Sequence, residues 1–468
     1  MTPRAYIMRL GGIALSVAAF VVIGASFSGD VWSEIGRFAA RDPGVRHGSN
    51  GAGGMLPGLS SPDQQAFGDG LEAFQEVASV QGTLPNTEAG LGPRFNLDSC
   101  AGCHAQPEVG GSSPFINPQV EVAKKEGANN DVPPFIKKDG PVREARFKFN
   151  PDGTPDGGVH ALFTIARRID ASGCSLQQPD FRTALARQNV VFRIPTPVFG
   201  AGLIEAIDDD TILANLQANS ATKQALGIRG RPNMTGRPNT SGNDGTITRF
   251  GWKAQNKSLV LFAAEAYNVE QGVTNEIFPQ EREEAQACRF NPTPESPTHF
   301  EASNPREVPS DVVKFAVFMR LLAPPTPMPD TDPTIVRGRK LFGDVGCAMC
   351  HTPTLHTGKK IAVEALQDKD ANLYSDLVLH NMGPGLADDV SQGNAAGDEF
   401  RTAPLWGLGK RIFFLHDGRT KDLLEAIQAH AGSGGGQYVP SEANQVIAQF
   451  NRFNEIDKQH VLNFLRSL

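Results

Sequence analysis

Cysteine is scarce in this chain, at six residues in 468, and tryptophan and tyrosine are scarcer still, at three and four. Basic excess is absent: 44 Lys plus Arg against 51 Asp plus Glu leave a net charge of −7. That balance argues against nucleic acid as a partner. No strict short-period repeat is visible, which argues against a solenoid. Beyond the N-terminus no stretch is long and apolar enough to span a membrane. What is there is a 40% apolar composition, enough to exclude wholesale disorder. Gly (49) and Pro (34) together exceed the usual share of about 12%, which predicts many loops and turns.

The first 29 residues contain no acid. Arg4 and Arg9 precede the uncharged run Leu10–Ala25, which ends in small residues. This is the pattern of an export signal, with an uncleaved anchor or a buried helix as alternatives. Residues 1–26 are therefore read as signal peptide or anchor and 27–60 as a flexible tether. The body of the protein is expected in the periplasm or otherwise exported, with the N-terminal segment its only membrane contact. Helices are expected at about 62–80, 181–190, 210–218 and 258–267. Leu321–Asp332 holds four prolines and reads as a linker. It divides an N-terminal unit, 61–331, from a C-terminal unit, 332–468. The second unit opens with Asp332-Pro333 and a helix carrying Val336, Leu341 and Phe342. It closes with another helix at about 457–468. Phe67, Gly70 and Phe74 ahead of Cys100 resemble Gly338, Leu341 and Phe342 ahead of Cys347, as though one helical unit were used twice.

Four of the six cysteines fall in Cys100-Ala-Gly-Cys103-His104 and Cys347-Ala-Met-Cys350-His351. At this composition one C-x-x-C-H per chain arises by chance about two times in a thousand, and two are far rarer. The spacing suits c-type haem: two thiols add across the haem vinyl groups, and the adjacent imidazole is forced beneath the iron. Zinc or thioredoxin-type chemistry fits less well, because a histidine follows each pair directly. Two covalent haems are expected, on Cys100, Cys103, Cys347 and Cys350, with His104 and His351 as ligands. Cys174 and Cys288 remain. In an oxidising compartment a disulfide is the default, and two buried thiols are the alternative.

Further stretches resemble the di-haem oxidoreductase family, a group named for peroxidase activity and once called thiol oxidoreductases. Its wider relatives are bacterial di-haem cytochrome c peroxidases, the MauG enzyme and the rubber oxygenase RoxA. The matching segments are Phe95–His104, Arg249–Lys253, Gly346–Pro353, Tyr374–Gly383, Arg401–Leu408 and Phe414–Arg419. The resemblance implies a mainly α fold: two cytochrome c-like haem domains, with a long loop-rich expansion of the first. It implies chemistry at the N-terminal haem and electron entry at the C-terminal haem. The implied partners are a small redox protein such as a cytochrome c, and peroxide or dioxygen. An oxygenase, or a pure electron carrier, is the alternative. The distal ligand of the C-terminal haem falls on His430, fourteen residues after His416, with Met382 as competitor. Trp252 would lie between the haems, its alternative being core packing. Glu265 would act on peroxide as acid or base. Arg401 and Arg419 are candidates for the haem propionates, with surface exposure as the alternative. Relatives bind an inter-haem calcium through a Thr-x-Pro pair. Here those places hold Arg411 and Phe413, so calcium is doubtful.

Overall fold

The computed structural model describes residues 39–49, 51–235, 244–282 and 285–468. The expected export segment lies outside them. Among the described residues no helix is long and apolar enough to cross a membrane. Among the described residues the α-helices form thirteen segments. The strands run two to five residues, in sheets of two or three. Loops carry the rest, as the Gly and Pro content predicts.

Two helix pairs organise the molecule. Helix α1 (Ser61–Gln75) starts at Ser60, whose hydroxyl accepts from Asp63 N, with Pro62 in the first turn. It packs on the later helix Asp311–Leu321. The contact closes at Gly70, where a methyl group would lie 2.6 Å from the Lys314 carbonyl oxygen. Phe67 and Phe74 stack on Phe318, at 5.5 and 4.8 Å between ring centroids. The second pair repeats the device. Helix Pro333–Asp344 is capped by Asp332, which accepts from Thr334 N at 2.7 Å. It packs on the last helix, Glu455–Ser467. A methyl at Gly338 would lie 1.9 Å from the His460 carbonyl oxygen. Leu341 and Phe342 point inward as expected, whereas Val336 is exposed. Each pair positions a C-x-x-C-H turn, which follows its leading helix directly in the second unit and through a loop in the first.

In order along the chain, α2 is Cys100–Cys103, α3 is Leu259–Gln271, α4 is Asp311–Leu321, α5 is Pro333–Asp344, α6 is Leu423–Gln428 and α7 is Glu455–Ser467. Several boundaries differ from expectation. The helix expected over 181–190 stops at Ala186, and Val190–Arg193 becomes a strand paired with Glu144–Phe147. The β-branched Val190 and Val191 suit that pairing. α1 stops at Gln75, short of 80, and α3 runs on to Gln271, where Gly272 ends it at φ 76°.

The expected tether is corrected over 39–60. Those residues are a strap pinned to both units. Asp42 receives the Arg466 guanidinium at 2.7 and 2.6 Å and accepts from Leu423 N at 2.7 Å. Leu56 and Leu59 enter the core that holds α1 and α4. The strap also runs beside the proline-rich linker, with Leu56 N donating to Leu321 O and Thr326 N to Gly51 O. Cys174 and Cys288 form a disulfide, buried among Phe95, Phe163 and Phe181.

Gly338→Ala is expected to destabilise the protein by about 1–3 kcal/mol, the usual cost of overpacking a tight contact. Gly343→Ala, on the same helix with open space around it, is the control. Denaturant unfolding of both variants checks this.

Candidate functional site

Each C-x-x-C-H turn opens into its own cavity. In the first, α2 carries Cys100 and Cys103 and ends at His104. The His104 Nδ1 lies 2.9 Å from the Gly111 carbonyl oxygen, which fixes the ring and leaves Nε2 for the cavity. Phe74 of α1 meets the imidazole edge-on at 5.9 Å. The cavity has a volume of about 150 Å³. Its lining includes both cysteines, Arg143, Trp252, Gln255, Glu265 and Glu270, and His104 is the one histidine among them.

The second cavity is larger, about 220 Å³. Here His351 Nδ1 lies 3.0 Å from Tyr374 O. His430 sits just past the end of α6, its Nδ1 2.8 Å from Ala426 O. The two ring centroids are 6.5 Å apart. Two imidazoles sharing one metal, with each nitrogen about 2 Å from it, need a spacing of this order. Burial pushes His104 and His351 down to about 4, and lowers His430 as well. All three are thus neutral near pH 7, the state in which imidazole ligates a metal. Met382 lines the same cavity but belongs to the apolar cluster of Ile194, Trp252, Phe400 and Phe413.

Trp252 forms part of the wall of both cavities. Its indole N–H donates to Ile194 O at 2.9 Å, so the ring is held by a hydrogen bond as well as by packing. His416 meets it edge-on at 6.4 Å and stacks on Phe400 at 4.3 Å.

The charged residues divide by surroundings. Arg401 is buried, and among the described residues its guanidinium donates to the Gly251 and Thr402 carbonyls. Arg411 lines the second cavity with its Nε buried and unpartnered. Burial pulls both guanidiniums down to about 10. Among the described residues neither has a salt bridge. Two guanidiniums held at a cavity without carboxylate partners fit the propionates of a haem. Arg143, at the first cavity, is likewise without a salt bridge among the described residues. Arg419 is not placed for this role: it is exposed and bound to Asp417 at 2.7 Å and to Gly385 O at 2.8 Å. Of the two residues at the expected calcium positions, Arg411 takes this cavity place and Phe413 packs against Trp252.

Glu265 lines the first cavity and accepts from Asn256 Nδ2 at 2.5 Å. Two more acids there were not singled out from sequence. Glu270 lies five residues further along α3, and Glu144 arrives on a strand. Their carboxyl groups share a hydrogen bond. Burial, and then the Glu144 charge, push Glu270 up to about 8. Burial works against ionised Glu144 too, but Arg146 (2.6 Å) and Arg193 hold its carboxyl below the usual range. Near neutral pH the pair is one carboxylate and one acid. The available signal was the place of Glu270 on the same helix as Glu265. For Glu144, distant in sequence, there was none.

Paired cavities, each built on a C-x-x-C-H turn with neutral imidazoles and unpaired guanidiniums, fit a di-haem oxidoreductase. The family model described as "Di-haem oxidoreductase, putative peroxidase" matches residues 145–468, and the chain belongs to that family. The match begins after Cys100–His104, so the first motif rests on its own sequence and geometry. None of the curated proteins matches the chain. Among solved structures, the chain is similar to a MauG-like protein associated with microbial copper homeostasis. The identity is 16% and the TM-score 0.31, over 58% of this chain and 90% of that one. It is also similar to hydrazine synthase of Kuenenia stuttgartiensis, at 19% identity and a TM-score of 0.22. That match covers 35% of this chain and 56% of the other.

Folded Glu270 keeps its proton up to about pH 8, whereas an unfolded glutamate loses it near 4.3. Between those values the folded chain binds more protons, so stability is expected to fall as pH rises across the window. Glu270→Gln, always neutral, is expected to flatten that fall. Denaturant unfolding at pH 5 and pH 8 measures it.

Proposed function

We propose that the protein is an exported, peroxidase-like c-type cytochrome with one haem covalently bound in each cavity. Cys100 and Cys103 hold the first, with His104 as ligand. Cys347 and Cys350 hold the second, between His351 and His430. The observation that carries this reading is the asymmetry of the two cavities. One faces two imidazoles at 6.5 Å, a geometry for a closed, electron-carrying site. The other has a single imidazole, and its lining includes Glu265, Glu270 and Glu144. A pure electron carrier would need no such set of acids.

A bound haem would supply the iron at which the peroxide O–O bond is reduced. The overall reaction takes up two electrons and two protons and yields two waters. The chain's own residues supply the rest. Glu270 holds a proton beside the Glu144 carboxylate and can deliver it within the cavity. Glu265 is fixed by Asn256 as a second acceptor. Trp252, the shared wall, is the route for electrons arriving from the second cavity. The donor is a small redox protein such as a cytochrome c, and the working compartment is the periplasm. Membrane contact is limited to the N-terminal segment.

Electron paramagnetic resonance of the resting protein is expected to give one high-spin and one low-spin ferric signal. Two low-spin signals would sink the enzyme reading. His430→Ala is expected to turn the low-spin site high-spin, and an unchanged spectrum would assign Met382 instead. Glu270→Gln is expected to lower peroxide turnover with reduced cytochrome c by about a hundredfold or more.

A further inference from the structure

Lys253 follows Trp252 directly and is wholly buried, at 0% exposure. Its ammonium nevertheless meets no water-facing surface and no site chemistry described above. It sits in a cage of oxygens. Nζ donates to the carbonyls of Ala396 at 2.8 Å, Glu399 at 2.9 Å and Gly397 at 3.2 Å. The Asp388 carboxylate lies 3.1 Å away, and the Phe400 ring closes the cage with its centroid at 4.0 Å. An ammonium carries three protons, so four oxygens and a ring face are more than it can satisfy one by one. Every neighbour in the cage is an acceptor or a ring face, which opposes the burial that pulls the ammonium down to about 8. This is the surrounding of a cation.

The cage connects to both cavities. Asp388 Oδ2 also receives Arg193, at 2.7 and 3.2 Å, and Arg193 lines the first cavity. Phe400, on the other side, stacks on His416 and lines the second. Arg401 follows Phe400 and returns a hydrogen bond from its N–H to the Trp252 carbonyl at 2.9 Å. The 388–401 segment and the 251–253 turn are thereby drawn together around one charge.

We propose that Lys253 is a positioning residue that acts as a built-in cation: its ammonium gathers residues 388–401 against Trp252 and so sets the electronic contact between the two cavities. The inference rests on the reading of Trp252 as the inter-haem route. Removing the charge leaves a cavity lined by three carbonyls without a donor and by a carboxylate whose remaining cation is Arg193. A small alkylammonium ion matches that cavity in charge and donor number.

The test uses the haem-loaded protein. Lys253→Ala is expected to keep both haems attached, with wild-type spin states. Electron exchange between the haems, followed by flash reduction, is expected to slow about ten- to a hundredfold. Hydrogen exchange over residues 388–401 is expected to quicken. Added ethylammonium is expected to restore both. Exchange at the wild-type rate in Lys253→Ala, or slow exchange that ethylammonium leaves unrestored, would overturn the assignment. A second measurement needs no variant: wild-type protein treated with a chelator is expected to exchange electrons unchanged, and slowing would show that a bound metal supplies the cation instead. Failure of the underlying reading is separately visible, because Trp252→Phe would then leave inter-haem exchange at the wild-type rate.

Discussion

Helix backbone touches helix backbone at Gly70 and at Gly338, and the functional geometry hangs from both contacts. At Gly70 and Gly338 the absence of a side chain lets α1 reach α4 and α5 reach α7 closely enough for their aromatic residues to interlock. Phe74 then bears on His104, and Phe342 on His351. An imidazole whose far nitrogen must meet a buried group cannot tolerate drift of its supporting helix. The carbonyls of Gly111 and Tyr374 complete the constraint by fixing ring rotation. Helix spacing sets where each ring lies, and one hydrogen bond sets how it turns.

From these two similar frames the protein builds unlike sites. The difference lies in what faces the anchored imidazole. In the second unit, the short helix α6 ends just before His430 and leaves a second ring opposite the first. In the first, the facing wall includes α3 and a strand, which bring carboxyl groups instead. Burial then separates their proton affinities: Glu144 has two guanidiniums nearby, while the net effect on Glu270 is to keep its proton. Similar scaffolds with different walls give the two cavities unlike linings. Trp252 belongs to both walls, which makes the boundary between the units part of the site.

The sequence made the anchoring parts legible. Cys100–His104 and Cys347–His351 are local motifs, and ahead of each a glycine, Gly70 or Gly338, stands four residues before a phenylalanine. His430 was legible only through the resemblance, because nothing in the six-residue helix before it demands a ligand. Glu144 was not legible, since its partner Glu270 lies 126 positions away and the contact depends on tertiary structure. Arg419 misled for a related reason: a guanidinium beside a motif says nothing about which way it turns, and Asp417 holds it outward. The strap misled because its composition is that of a loop. What orders it is long-range pairing, which composition cannot report.

The strap has a consequence for how the molecule is completed. Asp42 is among the first described residues to be synthesised, and its partner Arg466 among the last. The contact spans 424 positions. Both cavities lie within the loop it closes. The strap thus works as a clasp: Asp42 and Arg466 join the two ends of the described chain around both cavities, so losing either side chain opens the ring that encloses them.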